Sequence, residues 1–149
     1  MKKEKYTYEM FTEDSKYLAN EVKEFNPEVI LAIARGGVTL GHFLASILDN
    51  RNLFTINSIS YEKDKQLSTI DIFNVPDLSK YNKVLIVDDI VDSGKTLKEI
   101  LLLLNSKYPN TKFEIASIYY KTRAVLKPNY YVREATTWID FFWETDITS

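Results

Sequence analysis

Cysteine is absent from the 149 residues, which excludes disulfides, thiolate metal sites and cysteine nucleophiles. Oxygen ligands remain as the expected metal chemistry, and they favour magnesium over zinc. No apolar run approaches the length of a membrane span, so no membrane insertion is expected. The start, Met1-Lys2-Lys3-Glu4-Lys5-Tyr6, lacks the apolar centre of a signal peptide, and cytoplasm is the expected compartment. Positive charge is not in excess either. The formal net charge is -2 and the pI about 5.5, which argues against a nucleic-acid partner for the chain as a whole. Repeats, linkers and low-complexity tracts are missing, so residues 1–149 are expected to form a single domain with a sizeable core. Hydrophobic residues at 45% and charged residues at 27% are the balance of an ordinary globular protein.

What is present is concentrated in one stretch, Lys83 to Thr96. Val84-Leu85-Ile86-Val87 is an unbroken apolar run, mostly β-branched, which suits a strand covered on both faces in a parallel sheet. From Thr96 the apolar residues Leu97, Ile100, Leu101 and Leu104 fall at helix spacing, with Leu102 and Leu103 expected to broaden the buried face. The turn between them is therefore expected at a sheet edge, opening a helix. A helix start presents free backbone N–H groups and a positive dipole end, both suited to an anion. Ser93 and Thr96 add hydroxyls, and Gly94 allows close approach of a ligand. Asp88 and Asp89, just upstream, suit a hard cation or sugar hydroxyls. Phosphate, sugar and magnesium together point to a phosphorylated sugar or nucleotide. Ser93-Gly94-Lys95-Thr96 is not the end of an NTPase P-loop, because the required first glycine is replaced by Asp89.

A second strand–turn–helix unit repeats this logic. Val29 to Ala34 reads as a buried strand, Arg35-Gly36-Gly37 as the turn, and Val38 to Leu48 as a helix. Arg35 brings a planar fork of donors suited to phosphate oxygens. His42 lies inside that helix with no partner for acid–base work and is read as structural. Further strands are expected over Leu53–Tyr61, Lys112–Tyr120 and Asn129–Val132, with Ile59 among the packing residues of the first. A first helix is expected to open at Thr12 and to stop at Asn26-Pro27, with Leu18, Val22 and Phe25 as its stripe. The polar run after Tyr61, up to Lys83, reads as a hairpin or lid. Thr137 to Glu144 is dense in aromatics, suiting a hydrophobic flap, a dimer surface or a platform for a flat heterocycle. The fold class is α/β: a central, mostly parallel sheet flanked by helices, with ligand at the carboxyl ends of the strands.

Asp88 to Thr96, two acids followed by Asp-Ser-Gly-x-Thr, resembles the PRPP-binding motif of type I phosphoribosyltransferases at every defined position. Lys121 at a strand end, followed by Trp138-Ile139-Asp140 and Trp143, resembles the base-binding end of the bacterial xanthine-guanine members. The likeness spans nearly the whole chain. It implies a small hood, a flexible loop, and PRPP held by Arg35, Gly36 and Gly37 at its diphosphate and by Asp88, Asp89, Ile90, Val91, Asp92, Ser93, Gly94, Lys95 and Thr96 along the motif. It also implies a strained peptide at Ala34-Arg35. Asp89 would lie near the metal, Mg²⁺. Asp92 would face purine N7, where a carboxylate takes or steadies a proton. Lys121 would donate to the 6-oxo group, Trp138 would stack on the purine, and Ile139 would bond its edge through the backbone.

Ser60-Tyr61 looks like the start of the flexible loop. The basic residue that relatives carry after the equivalent of Gln66 is Leu67 here, which leaves Lys65 to supply that charge. The chain also runs a shorter way past Trp143 than those relatives, a departure that bears on subunit contacts. The implied partners are PRPP and a purine base, with a homodimer or homotetramer as the assembly. The rival class is a PRPP- or nucleotide-sensing regulator of the same fold, which would need a basic face; a phosphoribosyltransferase for another base is the second enzyme reading.

Overall fold

Val84 to Val87 are fully buried, and they alternate between two cores. Leu85 and Val87 face one cluster with Phe11, Leu18, Leu40 and Leu44. Val84 and Ile86 face the other, with Leu97, Ile100 and Leu104. An apolar run of period two with no polar face is what a central strand between helix layers requires.

In this computed structural model, which describes residues 2–62 and 68–144, that run belongs to a six-stranded sheet. The elements are β1 (Lys3–Tyr6), α1 (Tyr8–Val22), β2 (Val29–Ala34), α2 (Val38–Ile47), β3 (Leu53–Glu62) and β4 (Ser68–Phe73), then β5 (Lys83–Val91), α3 (Lys95–Lys107), β6 (Lys112–Tyr120), β7 (Tyr130–Glu134) and β8 (Trp138–Phe141). Strand order is β4-β3-β2-β5-β6-β7, parallel except for the β3–β4 pair. The expected α/β architecture is thus the observed one. Core contacts set α1 and α2 against one face and α3 against the other. The order turns around at β2 and β5: β2 leads outward to β3, and β5 leads to β6 on the opposite side. Such a switch point opens a crevice at the carboxyl ends of the two central strands.

Several elements depart from expectation. The first helix opens at Thr7, whose Oγ1 accepts from Met10 N–H at 3.2 Å, whereas Thr12 lies inside the helix and donates back to Glu9 O at 2.9 Å. A threonine within a helix can bond its own preceding turn, so its presence does not mark a start. Leu102 and Leu103 do not widen the buried stripe of α3; they are exposed, because the face toward the sheet is filled by Leu97, Ile100 and Leu104. Ile59 is also exposed, since β3 runs past β2 into a hairpin arm with β4. Residues 63–67, Lys65 included, lie outside the described residues.

The unexpected element is β1. It pairs in parallel with β8, Lys3 opposite Trp138 and Tyr6 opposite Phe141, as a two-stranded sheet beside the main one. Polar contacts, buried or partly buried, pin it down. Tyr6 OH donates to Asp14 Oδ2 at 2.7 Å, and Arg133 Nε donates to the same oxygen at 2.8 Å. Tyr119 OH donates to Glu4 Oε2 at 2.6 Å. Among the described residues no helix is long and apolar enough to cross a membrane.

Asp14 therefore joins β1, α1 and β7 through one buried carboxylate. Asp14→Ala leaves a phenol and a guanidinium without their acceptor and should cost about 2–4 kcal/mol. Urea denaturation of the variant measures this, and a loss below about 1 kcal/mol would show the network to be incidental.

Candidate active site

The turn after β2 is built around a backbone that must come very close to β5. Gly37 N–H donates to Ile33 O at 2.8 Å, Val38 N–H donates to Arg35 O at 3.1 Å, and the Ala34-Arg35 peptide is cis. A Cβ on Gly37 would collide with the Val87 carbonyl oxygen and sit 3.0 Å from Asp88 Cα. A Cβ on Gly36 would sit 2.6 Å from Asp89 Oδ2. Both glycines are thus dictated by the approach of one loop to the end of the neighbouring strand.

Asp88 and Asp89 end the apolar part of β5, so they emerge at the crevice. Asp88 Oδ1 accepts from Asp89 N–H at 2.9 Å, and Asp89 Oδ1 accepts from Ile90 N–H at 2.7 Å. Burial raises the pKa of Asp88 well above the ordinary carboxylate value, and the adjacent Asp89 charge raises it further. Asp89, 8% exposed, is also raised by burial, while its hydrogen bonds pull the other way. Two acids held close in a dry site are short of positive charge.

Past Val91 the chain turns through Asp92-Ser93-Gly94 into α3. Gly94 has φ +77°, the left-handed region that glycine adopts without penalty, and stands at the helix cap. No side chain caps α3, so its first N–H groups remain open to a ligand, apart from Lys95 N–H donating to Ser93 Oγ at 3.2 Å. Ser60 and Thr96 hydroxyls lie 3.4 Å apart, joining the hairpin arm to the helix start.

These pieces enclose a cleft of about 260 Å³, lined by Asp88 to Gly94 and Thr96 from one side and by Ala34, Gly36 and Ser58 from the other. A larger cleft of about 760 Å³ adjoins it, with Gly36 and Asp89 common to both walls. Arg35, Lys3, Trp138 and Trp143 line the larger one, together with Asp140 and Glu144. Trp138 is 56% exposed and offers a bare indole face, whereas Ile139 turns its side chain into the core. Lys121, at the end of β6, donates its N–H to Val91 O at 2.9 Å and sets Nζ 3.2 Å from Asp92 Oδ1. Most of the expected site residues therefore converge on one edge of the sheet; Lys65 falls outside the described residues. His42 is exposed on α2 and lines neither cleft.

Residues not anticipated from sequence are Lys3, Thr39, Glu144 and Arg123. Lys3 arrives only through the β1–β8 pairing, which no local pattern announced. Glu144 has its carboxyl pKa raised by burial and then by Asp89 and Asp140, which ties the aromatic tail electrostatically to the acid pair. Arg123 Nη2 donates to Asp92 Oδ1 at 2.7 Å. Among the described residues no three His, Cys, Asp or Glu side chains converge as a metal cage.

A Gly-Gly turn crossing an acid pair, beside an uncapped helix start and at a sheet switch point, defines a protein that handles a phosphorylated sugar. The chain belongs to the phosphoribosyltransferase family: a model of the phosphoribosyl transferase domain matches residues 7–149. It is 32% identical to the xanthine-guanine phosphoribosyltransferase of Roseobacter denitrificans over 152 residues, covering 93% of this chain and 83% of that one. Among solved structures it is similar to the xanthine-guanine-hypoxanthine phosphoribosyltransferase of Helicobacter pylori, with TM-score 0.90 and 39% identity over 99% of this chain and 97% of that one. The purine phosphoribosyltransferase of Pyrococcus horikoshii is similar too, with TM-score 0.85 and 32% identity over 98% and 96%.

The acid pair carries a stability signature. Folded-state pKa values raised above the unfolded ones mean that the native state binds more protons in the window between them. Stability therefore falls as pH rises from the ordinary carboxylate range through the raised values. Asp89→Asn removes one charge while keeping the acceptor for Ile90 N–H. It should raise Tm at neutral pH and flatten this dependence. Thermal melts across pH 4–8 (about the range where most titration of acid groups matters) check it, and a lowered Tm at pH 7 would contradict it.

Proposed function

We propose that this phosphoribosyltransferase moves the 5-phosphoribosyl group of PRPP to N9 of a 6-oxopurine, xanthine, guanine or hypoxanthine. The observation that carries this is the pair of clefts meeting at Gly36 and Asp89, one suited to a sugar phosphate and the other to a flat base beside a diphosphate. The xanthine-guanine names of the relatives support the choice of base.

In this reading the 5′-phosphate rests on the backbone N–H groups of Ser93 to Thr96, where the α3 dipole favours an anion. Asp88 and Asp89 accept from the ribose hydroxyls, with Ile90 and Val91 shaping the wall. Arg35, Gly36 and Gly37 hold the diphosphate through a guanidinium and backbone. Trp138 stacks on the purine, Ile139 meets its edge through backbone groups, and Lys121 donates to O6. N9 bonds to C1′ as the C1′–O bond to the diphosphate breaks, and the electron pair leaves with pyrophosphate. Asp92, facing N7, steadies or removes the purine's proton as positive charge grows on the ribose. Lys65 is proposed to contribute a positive charge to PRPP binding.

The donor set suits Mg²⁺. That ion is commonly bound through one or two carboxylates plus substrate phosphates and water, and two buried acids short of positive charge are available, Asp89 foremost. Magnesium, when bound, would neutralise charge on the departing diphosphate. A cytoplasmic homodimer or homotetramer in purine salvage, without a nucleic-acid partner, completes the proposal.

Pyrophosphate release with PRPP and magnesium, measured with xanthine, guanine, hypoxanthine, adenine and uracil in parallel, tests the whole. Release with one or more 6-oxopurines is expected. PRPP binding without release from any of the five would overturn the enzyme reading. Asp92→Ala should lower turnover by roughly 10²-fold or more, the usual weight of a positioned acid–base group. Lys121→Gln should weaken 6-oxopurines far more than PRPP. Equal losses for both substrates would remove Lys121 from the base site.

A further inference from the structure

Two cations share one oxygen of the residue given the purine N7. Lys121 Nζ lies 3.2 Å and Arg123 Nη2 2.7 Å from the same Asp92 Oδ1. Backbone bonds hold this arrangement: Lys121 N–H donates to Val91 O at 2.9 Å, and Val125 N–H donates to Ser93 O at 2.9 Å. Ala124 N–H donates to Lys121 O at 2.9 Å, closing the turn that carries both cations. The 121–125 turn is thereby clipped to the 91–93 turn at two points, one on each side of Asp92.

Lys121 is therefore paired with Asp92, its Nζ directed at the carboxylate. An ammonium that must donate to purine O6 has to give up that contact first. If Lys121 were the only cation on Asp92, leaving would strip the carboxylate of its partner, and the pair would resist the purine. A second cation on the same oxygen changes this. The two like charges repel, which loosens Lys121, and Asp92 keeps an ion-pair partner after Lys121 departs.

We propose that Arg123 is a positioning residue for 6-oxopurine binding, holding the Asp92 carboxylate so that Lys121 is released to the base. The inference rests on the base-site roles given above to Asp92 and Lys121. Arg123 itself touches no substrate. Its side chain is 70% exposed and that of Lys121 22%, so Arg123 is removable at little cost to the fold while Lys121 sits at the inner side of the pair.

The test is steady-state kinetics on Arg123→Ala and Arg123→Lys, alone and in a Lys121→Gln background, varying purine and PRPP separately. Arg123→Ala should raise the purine KM about fivefold, leave the PRPP KM within about twofold, and leave Tm unchanged, a size in keeping with one exposed charged contact. Arg123→Lys retains a cation on Asp92 and should restore the purine KM to within about twofold of wild type. With Lys121→Gln there is no ammonium to release, so Arg123→Ala should add nothing; the two effects should be non-additive. An unchanged purine KM in Arg123→Ala, an equal rise in both KM values, or full additivity with Lys121→Gln would overturn the proposal. Failure of the wild-type protein to use any 6-oxopurine would instead overturn the base-site reading and this inference with it. Normal wild-type turnover with an indifferent Arg123→Ala would overturn this inference alone.

Discussion

The close passage of the Gly36-Gly37 backbone over the end of β5 is the constraint on which the rest of the site depends. Gly37 lies against the Val87 carbonyl and Asp88 Cα, backbone that cannot give way. Gly36 lies against the Asp89 carboxylate, a side-chain end that can. The first contact sets how far β2 and β5 part at the switch point. The second sets where Asp89 points. Because Gly36 and Asp89 line both clefts, the position of one carboxylate governs the boundary between the sugar-phosphate side and the base side. That boundary is where a bond to ribose would be exchanged.

The same arrangement has an electrostatic cost. Asp88 and Asp89 are desolvated beside each other, and Glu144 feels Asp89 and Asp140, which line the larger cleft with it. A structure selected for stability alone would not gather these acids where burial opposes their ionisation. Further along the same wall of the smaller cleft, Asp92 meets two cations on one oxygen. The site thus holds a surplus of negative charge where a metal ion is proposed and a surplus of positive charge where a base oxygen is proposed. Both imbalances are relieved by ligands of the right chemistry.

The central units were legible in the sequence because their determinants are local. A four-residue apolar run, a glycine turn and helix-spaced leucines suffice to read β5-turn-α3, and Val29 to Leu48 repeats the pattern. The acid pair and the Arg35 turn were legible for the same reason, since strand ends and helix starts carry chemistry that residue type announces. What was not legible depends on contacts far apart in the chain. β1 exists because it pairs with β8, more than a hundred residues away (a separation no window of local periodicity spans), and with it came Lys3. Leu102 and Leu103 look like core until the sheet shows which face of α3 is covered. Arg123 carries no local signal of its role, because its bond to Asp92 needs the packing of two turns. Thr12 misled because threonine serves a helix interior as well as its start.

The most direct measurement is calorimetric titration of Gly36→Ala with PRPP and magnesium, beside its thermal melt. The three atoms nearest the added Cβ all belong to the Asp89 carboxylate, so the fold should survive with Tm close to wild type while Asp89 is pushed from its place. PRPP affinity is then expected to fall at least about tenfold, the scale on which small misplacements of positioning groups act. Wild-type PRPP affinity in a folded Gly36→Ala protein would contradict the claim that this one close approach sets the site.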